Sequence, residues 1–273
     1  MRPSPSPPSA GWPADLVAGV LDEALAVPAT TPVFGITGLQ GSGKTTLARQ
    51  LVALAQARGL RVATFSIDDV YLDRPRRLAL ARTVHPLLAT RGPPGTHDLE
   101  LALETLARLR EWSPGRSVRL PSFDKLGDRR RPLAEWPEIR ERPDLVVFEG
   151  WFLKTPPESP RALAAPVNAL ERDEDPDGSW RGWCNARLAG YAPLWRGIDR
   201  LLFLAAPGFE HVPRWRLEQE RALQAAQPGR AGMDQAQILR FVQHYERVSR
   251  QALRTLPGIA ERTLRLDACR RPA

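Results

Sequence analysis

The chain has 273 residues, 42% of them apolar, and 39 basic against 31 acidic side chains give a net charge of +8. That length buries one large core, and the positive excess is spread along the chain without a concentrated basic block, which argues against a polynucleotide partner and for small anions. Cys184 and Cys269 are too few for a disulfide framework, and no apolar run is long enough for an export signal or a membrane span, so a cytoplasmic protein is expected.

Residues 1–13, MRPSPSPPSAGWP, read as a disordered lead, and residues 14–273 as a single domain that opens with an amphipathic helix at about 14–26. Apolar stretches of strand length follow at 32–37, 61–67, 144–150, 199–207 and 262–267. Helical patterns lie between or beside them at about 44–58, 98–111, 160–171, 182–191, 212–226 and 234–256. This alternation predicts an α/β fold, a five-stranded parallel sheet flanked by helices. The connection 111–143 carries Pro114, Pro121, Pro132 and Pro137, so it cannot be one helix, and loops of that length are commonly functional.

The stretch GITGLQGSGKTTL, residues 35–47, joins the first strand to the second helix and sets Gly38, four residues, then Gly43, Lys44 and Thr45 in order. Glycines turn backbone N–H groups onto phosphate at the positive end of a helix, and Gly41 adds freedom within the loop. Only three of the 39 basic side chains are lysines. A compact ammonium enters between β- and γ-phosphate oxygens where a planar guanidinium fits poorly. Gly38, Gly41, Ser42, Gly43, Lys44, Thr45 and Thr46 are therefore expected to hold ATP, with the Thr45 hydroxyl on Mg²⁺, as in a P-loop NTPase fold.

A phosphate loop identifies a nucleotide but not a reaction, so the accompanying carboxylates matter next. In LVVFEGW, Glu149 closes a buried strand at the end where ligands collect in parallel sheets, and it reads as the second Mg²⁺ ligand, directly or through water. Trp151 follows it and is expected to line the site. In FSIDDVYLD, Asp68 and Asp69 end the strand after the loop helix. Adjacent carboxylates repel within one small site, so one is the candidate base and the other a helix cap.

At these residues the chain resembles the P-loop kinases of the phosphoribulokinase, uridine kinase and pantothenate kinase group, in which a Ser-x-Asp segment ending the second strand carries the catalytic aspartate. Ser66, Ile67 and Asp68 occupy that segment, so the resemblance selects Asp68. Further along, RGPPGTHDLE (91–100), PSFDKLGDRR (121–130), PVNALE (166–171), YAPLWRGIDRLLFLAAPGFEHVPRWRLEQE (191–220) and FVQHYERVSR (241–250) resemble the D-glycerate 3-kinase family of plant and fungal type.

That resemblance implies Mg-ATP-dependent phosphorylation of the 3-hydroxyl of D-glycerate. It also implies a lid helix whose Arg214 and Arg216, followed by Arg221, close over the transferring phosphate. The acceptor-binding insertion would use Asp124, Arg129 and Arg130, helped by His97, with the two adjacent arginines gripping a carboxylate. Two other readings stay open: a kinase of the same group acting on a nucleoside, pantothenate or a sugar phosphate, and a non-kinase P-loop ATPase. The expected partners are ATP and a small anionic alcohol, without nucleic acid or membrane.

Overall fold

The computed structural model describes residues 11–226 and 232–273. In chain order, α1 (Ala14–Leu25), β1 (Val33–Gly38), α2 (Lys44–Ala57) and β2 (Val62–Ser66) are followed by α3 (Arg74–Thr83) and α4 (Leu99–Arg110). The long connection folds into β3 (Val118–Arg119), β4 (Phe123–Asp124), β5 (Arg129–Arg130) and β6 (Glu138–Ile139). Then come β7 (Leu145–Gly150), α5 (Pro160–Leu163), α6 (Ala169–Glu174), α7 (Ser179–Leu188), α8 (Ala192–Arg196), β8 (Arg200–Ala205), α9 (Val212–Ala226), α10 (Gln235–Thr255) and β9 (Arg262–Arg265).

Five strands form one sheet in the order β2-β7-β1-β8-β9, and every pairing is parallel. Their side chains alternate between two apolar layers, as a sheet covered on both faces requires. Val146, Phe148, Leu201 and Phe203 pack on one face with Leu106 of α4 and Tyr245 of α10, while Val147, Leu202 and Leu204 pack on the other with Leu21 of α1 and Leu51 of α2. The connection between α4 and β7 forms two antiparallel ribbons, β3 with β6 and β4 with β5.

Three helical segments differ from the expectation. The helix expected at 160–171 is split, because Pro166 has no N–H to donate; α6 starts afresh at Asn168, whose side chain accepts from Glu171 N at 3.0 Å. The helix expected from 182 begins at Ser179, where the Asp175 carboxylate satisfies Trp180 N at 2.7 Å and Arg181 N at 3.2 Å. Helix α3 was not expected from its arginine-rich, weakly apolar sequence; Asp73 caps it by accepting from Arg76 N at 3.1 Å.

Most of the proline-rich lead lies outside the described residues. Its end does not: Trp12 is buried, its backbone N and O bonded to the Gln50 side chain at 2.8 and 3.0 Å. No helix of the described residues is long and apolar enough to cross a membrane.

Arg247 fastens α10 to the segment before α7. Its guanidinium reaches both Glu171 oxygens at 2.8 and 2.6 Å, Glu158 at 2.9 Å and the carbonyls of Ala162 and Ala165. Replacing it by methionine leaves the buried Glu171 carboxylate with Val167 N but no cation, and Glu158 with Arg254 alone. Arg247→Met should lower the unfolding free energy by about 3–5 kcal/mol, read from the urea midpoint; an unchanged midpoint would deny the anchor its role.

Candidate active site

The parallel register sets Ser66, Glu149 and Ile36 level across β2, β7 and β1, so three strand ends open on one edge. The phosphate loop leaves β1 there. Gly41 and Gly43 take left-handed backbone (φ 78° and 96°), and a Cβ on Gly41 would lie 2.7 Å from Trp215 Cβ of α9. Lys44 Nζ folds back to donate to the carbonyls of Gly38 at 2.8 Å and Leu39 at 3.1 Å. Its burial pulls the ammonium pKa down, while Glu149 and Asp68 pull it back up.

The loop fits a triphosphate and a divalent cation on its own features. Ser42 Oγ is buried without a partner, and Thr45 Oγ1 already donates to Glu149 Oε1 at 2.9 Å. No group of three or more His, Cys, Asp and Glu gathers as a metal cage among the described residues. One hydroxyl and one carboxylate, completed by phosphate oxygens and water, is the donor set that suits Mg²⁺. Trp12 contributes an element that sequence patterning missed: its indole N–H donates to Gly43 O at 3.1 Å.

The two aspartates separate as adjacent carboxylates must. Asp69 turns back and accepts from Ser66 N at 2.8 Å, while Ser66 Oγ accepts from Asp68 N at 3.2 Å, which closes a capping box over the short turn Ile67–Val70. Asp68 faces the cleft, where Tyr71 OH donates to Oδ1 at 2.6 Å and Lys125 Nζ to Oδ2 at 2.7 Å. Burial pushes the Asp68 carboxyl up, but the Lys125 charge and the hydrogen bonds from Lys125 and Tyr71 outweigh it and hold it below the usual carboxylate range. Burial pushes Asp69 up to about 6.

His97 lies beside this pair, stacked at 4.9 Å against Tyr71. Its Nδ1 meets Tyr191 OH at 2.7 Å, and that hydroxyl also accepts from Gly95 N. In the tautomer in which the hydroxyl proton goes to Nδ1, the ring keeps Nε2–H, a buried atom without a hydrogen-bond partner among the described residues. Trp151 is buried beneath the site between Phe152 and Tyr245.

The insertion sets the two expected arginines apart. Arg129 and Arg130 are consecutive on a strand and point to opposite faces. Arg129 is 71% exposed, 3.9 Å from Asp124, whose carboxylate accepts from Leu126 N within the same hairpin. Arg130 turns inward and bonds Asp98 at 2.9 Å and the Tyr71 carbonyl at 3.3 Å. Asp124, Arg129 and Arg130 are thus not assembled as one grip. Arg77 and Arg91 both bind Asp128 and pin the hairpin; this triad has no local signature in the sequence, because its members are distant in the chain.

The lid arginines also part. On α9, residues two apart face opposite sides. Arg214 turns away to the Ala268 carbonyl, which also accepts from Trp215 Nε1 at 3.0 Å. Arg216 lies over the Phe241 ring at 5.9 Å and bonds Glu220 at 3.3 Å, on the side facing Tyr245. Arg221 is exposed.

No family model matches this chain. An uncharacterized kinase of Schizosaccharomyces pombe, mug58, is 34% identical to it over 221 residues, which are 78% of this chain and 78% of that protein. The chloroplastic D-glycerate 3-kinase of Arabidopsis thaliana is 33% identical over 223 residues, 78% of this chain but 46% of the plant protein. The solved structure of D-glycerate 3-kinase from Cryptococcus neoformans superposes with a TM-score of 0.76 at 27% identity, over 95% of this chain and 96% of that one.

Two buried groups make stability depend on pH with opposite signs. Burial lowers His97 from 6.5 to about 3, so its unfolded form binds the proton first and stability falls as pH drops through that window. Asp69, raised from 3.8 to about 6, loses stability as pH rises through its own window. The His97 ring resonances should stay unmoved by NMR between about pH 5 and 8, where a free imidazole titrates; a midpoint near 6.5 would refute this neutral histidine.

Proposed function

Because the chain belongs to the kinase family that includes D-glycerate 3-kinase, we propose that it transfers the γ-phosphoryl group of ATP to the 3-hydroxyl of D-glycerate, and that residues 14–273 act as one kinase domain. The observation that carries the reading is the single sheet edge at which the phosphate loop, the Thr45–Glu149 pair and Asp68 meet.

In this reading the loop amides of Gly41, Ser42 and Gly43, with Lys44 and Thr46, bind the phosphates. Lys44 leaves the carbonyls of Gly38 and Leu39 for β- and γ-oxygens, where its charge counts most as negative charge builds in the transition state. Thr45 and Glu149 hold Mg²⁺, which when bound neutralises phosphate charge. Asp68 accepts the hydrogen bond of the 3-hydroxyl and takes its proton as the O3–P bond forms and the bond to the β,γ-bridging oxygen breaks, releasing ADP.

A carboxylate held this far below its ordinary pKa is a weak base. While Lys125 rests on it the carboxylate is held low, and in addition to taking the proton it aims the hydroxyl, which suits a loose phosphoryl transition state. His97 Nε2–H is the donor offered to an acceptor oxygen, and the inner hairpin face carries the cations Lys125 and Arg130 for the acceptor's carboxylate. Arg216 faces the transferring group, and Arg214 joins it only if α9 turns.

Incubation with ATP, Mg²⁺ and each glycerate enantiomer, followed by NMR of the product, should give 3-phosphoglycerate from the D form; a 2-phosphorylated product, or turnover of other alcohols alone, would overturn the assignment. Lys44→Ala should abolish nearly all turnover. Asp68→Asn should fold, bind ATP and lose about 10²–10⁴-fold in kcat, whereas Asp69→Asn keeps the cap through its amide oxygen and should lose far less. If the two aspartate variants behave the other way round, the roles are reversed. Arg216→Ala should lower kcat more than it weakens ATP binding, and more than Arg214→Ala does.

A further inference from the structure

The hairpin offers two cations to the acceptor's carboxylate, and they differ in freedom. Arg130 is committed to Asp98 and to the Tyr71 carbonyl. The Lys125 ammonium touches Asp68 and, among the described residues, no other hydrogen-bond acceptor, and its side chain is 55% exposed. The backbone beneath it is fixed: Asp128 is bound by Arg77 and Arg91, and Asp124 Oδ1 accepts from Leu126 N at 3.1 Å. A rigid turn thus carries a point charge on a flexible four-carbon stem.

The contact that Lys125 makes is at odds with turnover. Asp68 must accept a hydroxyl and its proton, yet Tyr71 already donates to Oδ1 and the ammonium sits on Oδ2, where its charge opposes proton uptake. Tyr71 is buried and cannot move far, and Lys44 is already bonded to Gly38 and Leu39. Lys125 is the partner that can leave.

We propose that Lys125 is the specificity-determining cation of this enzyme: without acceptor it rests on Asp68, and on binding it transfers to the acceptor's carboxylate and frees Asp68 for the hydroxyl. The identity of that anion rests on the glycerate reading above. In glycerate the carboxylate carbon is two bonds from the carbon that bears the reacting hydroxyl, so a hydroxyl seated on Asp68 brings the carboxylate beside Lys125. Recognition of the anion and release of the base are then one event. A neutral alcohol cannot draw the lysine away, and neither can water, so ATP is not hydrolysed idly; this is induced fit at the scale of one side chain.

The test compares wild type, Lys125→Met, Lys125→Arg and Arg130→Gln with D-glycerate, with glycerol and with no acceptor, after thermal melting and ADP affinity have verified the fold. Lys125→Met should raise KM for glycerate about 10- to 100-fold, the usual result of losing a charged hydrogen bond. The preference for glycerate over glycerol in kcat/KM should fall by a similar factor, and acceptor-free ATP hydrolysis should rise. Lys125→Arg should restore part of the preference. Equal losses with both acceptors and no rise in hydrolysis would make Lys125 a structural residue and overturn the proposal. Loss of the preference in Arg130→Gln but not in Lys125→Met would assign the carboxylate to Arg130 and overturn it too. Failure of the wild type to phosphorylate glycerate would sink the substrate reading alone. The acceptor-free arm would still decide whether Lys125 restrains Asp68, and unchanged hydrolysis there would refute it.

Discussion

A lysine as buried as Lys44 keeps its charge only if anions stand beside it, and the order of the sheet provides them. Glu149 and Asp68 both raise the pKa that burial lowers. Neither is near Lys44 in the chain; they are brought there because β7 lies between β1 and β2 and the parallel register ends all three strands together. A one-residue slip of β7 would turn Glu149 to the other face and leave the Lys44 ammonium and the Thr45 hydroxyl without it. The apolar alternation along these strands therefore does more than fill the core, since it fixes the electrostatics at their ends.

Around that edge, the hairpin and α9 are held by arginine contacts. The hairpin is pinned at Asp128 by Arg77 and Arg91, and Arg130 ties it to Asp98 at the start of α4. Helix α9 is fastened at its outer side through Arg214 and Trp215 to Ala268, and by Arg270 to Glu218. Trp215 also abuts Gly41. The glycine-rich loop, α9 and the chain's last turn are in this way one mechanical unit, so a shift of α9 is felt at the loop.

Much of this was legible in the sequence, and the physics of the rest explains why it was not. The five strands and the glycine-rich loop follow from local pattern, because strand alternation and glycine spacing act within a few residues; carboxylate repulsion likewise turns Asp68 and Asp69 apart, but only the family resemblance singled out Asp68. The opposite orientations of Arg129 and Arg130, and of Arg214 and Arg216, could have been drawn from strand and helix periodicity, and adjacency in sequence concealed them. Trp12 against Gly43, the Asp128 triad and the Lys125–Asp68 pair carry no local signature. They arise when residues 31, 37 and 57 positions apart are packed together, and no periodicity reports that.

The balance of arginine and lysine follows from the same geometry. The positive charge is spread along the chain, yet three arginines are spent inside the molecule among the described residues. Arg77, Arg181 and Arg247 are buried against Asp128, Asp175 and Glu171. A planar fork with fixed donor directions suits such permanent joints, since it loses little freedom on pairing. The two lysines at the active edge are of another kind. Lys44 rests on carbonyls that, in the proposed reaction, it leaves for phosphate, and Lys125 rests on the carboxylate proposed to receive the acceptor's hydroxyl. A guanidinium in either place would be held by several donors at once and would resist the exchange. An ammonium swings on its stem and trades one oxygen for another at small cost. On the proposed mechanism, the chain uses arginine where a charge must stay and, at the edge where the loop and Asp68 meet, lysine where a charge must change partners.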